Sequence, residues 1–185
     1  LADEGLLKEA FDVPIWSASP TADRVLKDGE ILQLGSQNWT VLHTPGHHPE
    51  HLCLISDSGL VAGDMVAGIG TILIPPGQGD MMTYIDQLER LLDLDPHLIF
   101  PSHGPVIPLP SRTLEHYIRH RSIRHDKVLA AVEEGNSELD TIAKIAYQDT
   151  PDAHPGLAVD QTLSHLLSHE KDGKVMRVDG GWVRT

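Results

Sequence analysis

Four histidines fall within nine residues of this sequence, in the run His43-Thr44-Pro45-Gly46-His47-His48-Pro49-Glu50-His51. An aspartate follows at Val61-Ala62-Gly63-Asp64, and a further histidine sits in Phe100-Pro101-Ser102-His103-Gly104-Pro105. Each of these groups closes an apolar, strand-like segment with a turn. Strand ends that bring His, Asp and His to nearby points offer imidazole nitrogens and a carboxylate oxygen, the ligand set zinc takes. Patterning alone offers all four clustered histidines, with Asp64 and His103, to such a site. His43 is expected to face a strand neighbour, and His48 and His51 to be supporting or surface residues. Taken alone, Gly63-Asp64 reads as a turn or a helix cap; its partners give it a role.

The elements that must position these groups follow from patterning. Residues 1–12 have helical spacing, with Leu6, Leu7, Ala10 and Phe11 ahead of Pro14. Segments 31–34 and 38–43 flank Gly35-Ser36 as a hairpin, and 52–55 and 60–62 flank Asp57-Ser58-Gly59 as a second. The glycine-rich run 66–79 predicts a long irregular loop of the kind that lines sites. Asp80 is placed as the N-cap of a helix whose stripe is Met81, Tyr84, Ile85, Leu88, Leu91 and Leu92. A short buried strand, 98–100, then leads to His103.

From Pro108-Leu109-Pro110 onward the pattern turns helical, which places a domain boundary there and divides the chain into 1–110 and 111–185. A long helix ends before Gly135, a second is expected to be capped by Ser137, and a third stops near Gly173. The close, Lys174 to Val178 and Gly181 to Arg184 around Asp179-Gly180, has hairpin chemistry. Three helices and a hairpin in about 70 residues predict a winged-helix arrangement. Arg119, Arg121, Arg124 and Lys127 read as a solvated or salt-bridged helix face.

Composition bounds the rest. The 185 residues suffice for a packed core, and a single cysteine, Cys53, excludes an internal disulfide and leads us to expect a cytoplasmic protein with no membrane partner. Net charge is −13, concentrated in residues 1–110, where 4 Lys+Arg face 15 Asp+Glu. That imbalance disfavours polyanions on the first part of the chain.

Together, Thr44-Pro45-Gly46-His47, Gly63-Asp64 and Pro101-Ser102-His103-Gly104-Pro105 resemble the later metal motifs of the metallo-β-lactamase superfamily in order and spacing. The tail, with Tyr117-Ile118-Arg119-His120-Arg121, resembles the winged-helix appendage of its β-lactamase-like subgroup, which includes endoribonucleases and thioester-hydrolase-like proteins. The resemblance implies an α/β fold: the C-terminal half of an αβ/βα sandwich followed by a winged-helix-like α+β domain. It also implies two zinc ions, with His47 on the first, Asp64 bridging both as the catalytic carboxylate, and His103 on the second. The implied chemistry is attack of a metal-bound hydroxide on an ester, thioester, amide or phosphodiester.

The family's first motif, H-x-H-x-D-H, has no counterpart, because no histidine precedes His43. The chain is expected to begin just after that motif and to hold three of about seven ligands, so that alone it binds zinc weakly or not at all and is inactive. A small-molecule thioester or ester is the expected substrate, with RNA cleavage second. A non-catalytic winged-helix module is the alternative from another class. Its third helix would offer Gln161, Thr162, Ser164, His165, Ser168 and His169 to a groove, with Lys171 as its cation. A half-sandwich leaves a sheet face uncovered, so a sheet-on-sheet homodimer is expected through 31–43 and 52–62.

Overall fold

The computed structural model describes residues 4–185. Helix α1 (Glu4–Phe11) fulfils the first expectation over the described part of 1–12. Between it and the sheet, β1 (Trp16–Ser17) pairs in parallel with β2 (Arg24–Val25). The two sequence hairpins then form as β3 (Ile31–Leu34) with β4 (Gln37–His43), and β5 (Leu52–Ser56) with β6 (Gly59–Gly63). Strand β7 (Ile99–Pro101) adds at the far side, giving the order β3-β4-β5-β6-β7.

All neighbours are antiparallel except β6 and β7, which are parallel. A parallel pair needs a crossover, and the loop from Asp64 plus α2 (Met81–Asp93) supplies it. Asp80 caps α2 as its sequence position predicts, its carboxylate accepting from the Thr83 backbone N–H at 2.8 Å. The α2 stripe of Met81, Tyr84, Ile85, Leu88 and Leu91 is buried against Leu42, Cys53, Leu60, Ala62 and Ile99, one face of the sheet. Fully burying one such side chain stabilises by roughly 1.5–3 kcal/mol.

Strand alternation sends a second row to the opposite face: Val41, Leu54, Val61 and Phe100 are paired in register across four strands. Leu26 and Leu32 cover Val41 completely, whereas Val61 remains 40% exposed. Among the described residues, only one end of this face has a lid.

The helical half contains α3 (Pro110–Glu133), α4 (Leu139–Ala146) and α5 (Pro155–Lys171), then the antiparallel hairpin β8 (Val175–Val178) and β9 (Gly181–Arg184). Helix α3 begins inside the proline-rich stretch and serves two apolar clusters. Its Leu114 and Tyr117 join the sheet core; its Val128, Ala131 and Val132 pack with Ile142, Leu166, Val175 and Trp182. Among the described residues no helix is long and apolar enough to cross a membrane.

Three sequence expectations are corrected here. Glu138, not Ser137, is the N-cap of α4 and makes no side-chain cap bond. The Ser137 carbonyl instead accepts from the Trp182 N–H at 2.9 Å, fastening the hairpin. Secondly, the face read as solvated or salt-bridged is salt-bridged at Arg124 and Lys127, but Arg121 and Arg124 are buried, at 1% and 3% exposed. Arg124 lies 4.0 Å from the Tyr147 ring centroid and pairs with Asp149 at 2.9 Å, an aspartate that Lys127 shares at 2.7 Å. Thirdly, Gln161, Thr162, Ser164, His165, Ser168 and His169 are all buried. The side of α5 that would have to enter a groove is packed inside the protein.

Candidate metal centre

The Thr44–His51 turn, the end of β6 and the end of β7 meet at one end of the sheet. Beyond β4 the chain turns through Pro45-Gly46, and Gly46 has φ +136°. A Cβ there would lie 2.4 Å from the Tyr84 Cα, so only glycine lets the turn seat on α2. Strand β6 closes with a register shift between Val61 and Gly63, a bulge that redirects the chain into Asp64. Gly63 sits at φ +52°, and a Cβ on it would meet His51 Nε2 at 2.5 Å. At β7 the Ser102 N–H donates to the Gly63 carbonyl at 3.1 Å, tying the two strand ends together.

The three sequence-predicted residues converge there. His47 Nε2 lies 3.5 Å from Asp64 Oδ2, and His103 Nε2 lies 3.3 Å from Asp64 Oδ1. His47 and Asp64 side chains are partly covered, while His103 is 70% exposed. Among the described residues no three His, Cys, Asp or Glu side chains form a group able to hold one metal ion. The arrangement consists instead of two nitrogen–oxygen pairs that share one carboxylate.

Hydrogen bonding fixes the tautomers. His47 Nδ1 lies 2.7 Å from the Leu73 carbonyl, which only accepts, so Nδ1 carries the proton in neutral His47. The Nε2 lone pair is thereby presented to Asp64. Asp64 Oδ1 is buried without a hydrogen bond. With His103 Nε2 3.3 Å away as its neighbour, that oxygen and the imidazole nitrogen together offer a cation two donors.

His51 has a part that its sequence position did not disclose. Its Nε2 accepts from the Asp64 backbone N–H at 3.0 Å, and its Nδ1 meets Thr44 Oγ1 at 2.8 Å. Burial, then the neighbouring His47, pushes its pKa down to about 4, so it stays neutral and keeps that acceptor. It supports Asp64 through the backbone. The available signal was its place at the mouth of β5, directly beside the end of β6. His43, paired with Leu52 in the sheet, bonds the Pro49 carbonyl through Nε2 at 2.7 Å. His48 Nδ1 accepts from the Glu50 N–H at 3.2 Å and serves the turn alone.

Residues 4–103 match the family described as the Metallo-beta-lactamase superfamily. A beta-lactamase-like protein 2 homolog of Drosophila melanogaster is 37% identical over 142 residues, covering 75% of this chain and 47% of that protein. An atrochrysone carboxyl ACP thioesterase of Paecilomyces divaricatus is 23% identical over 166 residues, covering 88% of this chain and 52% of its own length. The chain thus spans about half the length of the curated relatives it matches. Among solved structures, a metallo-beta-lactamase family protein of Thermus thermophilus superposes with a TM-score of 0.73 at 22% identity, over 90% of this chain and 56% of that one. Matched by the family model over residues 4–103 and 37% identical to a beta-lactamase-like relative, the chain belongs to the metallo-beta-lactamase superfamily.

Proposed function

We propose that this chain is part of a zinc-dependent hydrolase acting on a thioester or ester. The observation that carries the reading is the pairing of each Asp64 oxygen with one histidine Nε2, one of those oxygens being buried and otherwise unpartnered. His47 with Asp64 Oδ2 would contribute to one ion and His103 with Asp64 Oδ1 to the other. Bound zinc supplies Lewis-acid polarisation of a carbonyl and a lowered pKa for water. The chain's own residues hold that geometry: Leu73 sets the His47 tautomer, and His51 with Gly63 holds Asp64 at the strand end. The thioesterase name of the fungal relative supports the thioester class. Residues 111–185 are read as a winged-helix-like unit that packs on this half of the site.

The test compares this chain with a version extended to the length of its curated relatives, both assayed with zinc on a thioester, an ester and single-stranded RNA. Zinc-dependent thioester or ester hydrolysis that Asp64→Asn abolishes is the expected result. Hydrolysis unaffected by Asp64→Asn would end this reading.

Single-stranded RNA is the second reading, favoured by one observation. Arg112, His116 and Arg119 line a groove beside Gly68 and Pro105, next to the His103 loop. Neither arginine has an ion-pair or hydrogen-bond partner among the described residues. Binding that falls steeply with added salt would favour RNA.

For the partly covered sheet face at Val61, we propose a two-fold homodimer that packs sheet on sheet. Light scattering should report twice the chain mass at micromolar concentration; a monodisperse monomer would rule the dimer out.

A further inference from the structure

The loop from Asp64 to Gly79 has no regular structure, yet its middle is buried: Ile72 is 4% and Ile74 0% exposed. Between these two residues lies Leu73, whose carbonyl accepts the hydrogen bond of His47 Nδ1–H. The carbonyls on either side are taken by the helical half of the chain. Arg121 of α3 donates to the Ile72 carbonyl and, at 2.9 Å, to Thr71 Oγ1. Gln161 Nε2 and Ser164 Oγ of α5 donate to the Ile74 carbonyl at 3.0 and 2.6 Å. Arg121 and Gln161 are themselves joined, Nη1 donating to Oε1 at 2.5 Å.

We propose that Arg121, Gln161 and Ser164 are positioning residues. By fixing the carbonyls of Ile72 and Ile74 they hold the Leu73 carbonyl on His47 Nδ1, and so aim His47 Nε2 at Asp64.

Three physical points support this. A peptide segment pinned at both flanking carbonyls has little freedom to rotate the carbonyl between them. Neighbouring hydrogen bonds also polarise one another in a buried setting. Secondly, Arg121 is 1% exposed and its neutralising contacts are dipoles and the Tyr84 ring, 5.7 Å from its guanidinium carbon; no carboxylate pairs with it among the described residues. Burying a cation this way is costly, and an apolar side chain of equal volume would pack α3 against α5 without that cost. What the apolar side chain could not do is hold Thr71 and Ile72. Thirdly, a histidine that ligates a metal depends on the partner of its other ring nitrogen for tautomer and orientation. The polar stripe on α5 therefore ends at a loop carbonyl, adjacent to the one that orients the histidine.

The proposal rests on the reading of His47 as a metal ligand, and the experiment separates the two. In the 185-residue chain, ring-nitrogen NMR at neutral pH reports the His47 tautomer without metal, and competition with a chelator reports zinc affinity. Native His47 should show a single Nδ1–H tautomer. Gln161→Met with Ser164→Ala should give a mixture of tautomers and weaken zinc roughly ten- to hundred-fold, the usual effect of losing an outer partner of a ligand histidine. Ser164→Thr, which keeps the hydroxyl, should leave both readouts native. If the double variant does not fold, Ser164→Ala alone is measured and should shift both readouts in the same direction. An unchanged His47 tautomer in a folded variant overturns the positioning proposal, even if His47→Ala abolishes zinc binding. A mixed tautomer with zinc affinity indifferent both to the clamp and to His47→Ala upholds positioning and ends the metal reading instead.

Discussion

The protein has two histidine clusters, and they have opposite characters. At the sheet end, His47 and His103 present Nε2 to the two oxygens of one aspartate and remain partly open to solvent. Between α3 and α5, His125, His165 and His169 are buried, with no carboxylate paired to any of them among the described residues. His125 stacks on His169 with centroids 3.6 Å apart, and its Nδ1 lies 3.1 Å from His165 Nδ1. His169 Nε2 donates to the His125 carbonyl at 2.9 Å, and the remaining ring nitrogens have no hydrogen bond. Of the Nδ1–Nδ1 pair one ring donates and the other accepts, so one buried Nε2–H is left unsatisfied, at a cost of about 1–3 kcal/mol. Three histidines close together do not make a metal centre. A shared carboxylate at a strand end, with a ligand tautomer set by a backbone carbonyl, is what distinguishes the first cluster.

The largest difference should appear in zinc binding. Asp64→Asn is expected to weaken zinc by more than the roughly hundred-fold that loss of an outer partner costs, while His165→Leu leaves it unchanged. Equal effects in chelator competition would erase the distinction between the clusters.

Acid should act most on the other cluster, adding to the same effect from His51 and His120, which burial also pushes down to about 4. Burial pushes His125 down to about 4, holds His165 well below the ordinary histidine value and lowers His169. His165 also feels His125, Arg121, His169 and Arg124; Lys174 and Asp172 act on the other two, and Asp126 on His169. These groups remain neutral when folded but protonate when unfolded below the ordinary value of 6.5. The unfolded state then binds more protons, so stability falls as pH drops from 6.5 towards 4. The slope is at most about 1.4 kcal/mol per pH unit for each histidine. Urea midpoints measured across that window should show it, and His165→Leu should flatten it. A pH-independent midpoint would contradict the burial of this cluster.

Gly63→Ala is a smaller probe of the first cluster. The left-handed φ and the contact with His51 should cost about 1–3 kcal/mol by thermal melt and loosen zinc as well. Smallest is Asp80→Ala, about 1 kcal/mol from the lost α2 cap. It should destabilise the chain without altering the His47 tautomer, because its side-chain partners are Thr83 and Lys171 rather than the Leu73 segment.

Much of this was legible in the residues. The strands, the α2 stripe and its Asp80 cap and the irregular loop follow from periodicity and turn chemistry, which are local quantities, and the meeting of His47, Asp64 and His103 was implied by the family resemblance. Where local reasoning failed, it failed on polar side chains at helical spacing. Arg121 and Arg124 looked solvated or salt-bridged, and the groove-binding alternative put Gln161, Ser164 and His165 on the outside, because charge and polarity usually mark the outside of a helix. Burial of such groups depends on an acceptor arriving from elsewhere in the chain. Here the acceptors are backbone carbonyls, Ile72, Ile74 and Ala146, and a carbonyl leaves no trace in residue identity. For the same reason Leu73 could not be found as the partner of His47, nor His51 as the partner of the Asp64 backbone. The sequence by itself determined which residues could do chemistry and which elements carry them. The tertiary structure alone decided which nitrogen of each histidine is free and which side of α5 is inside, since both depend on contacts between segments far apart in the chain.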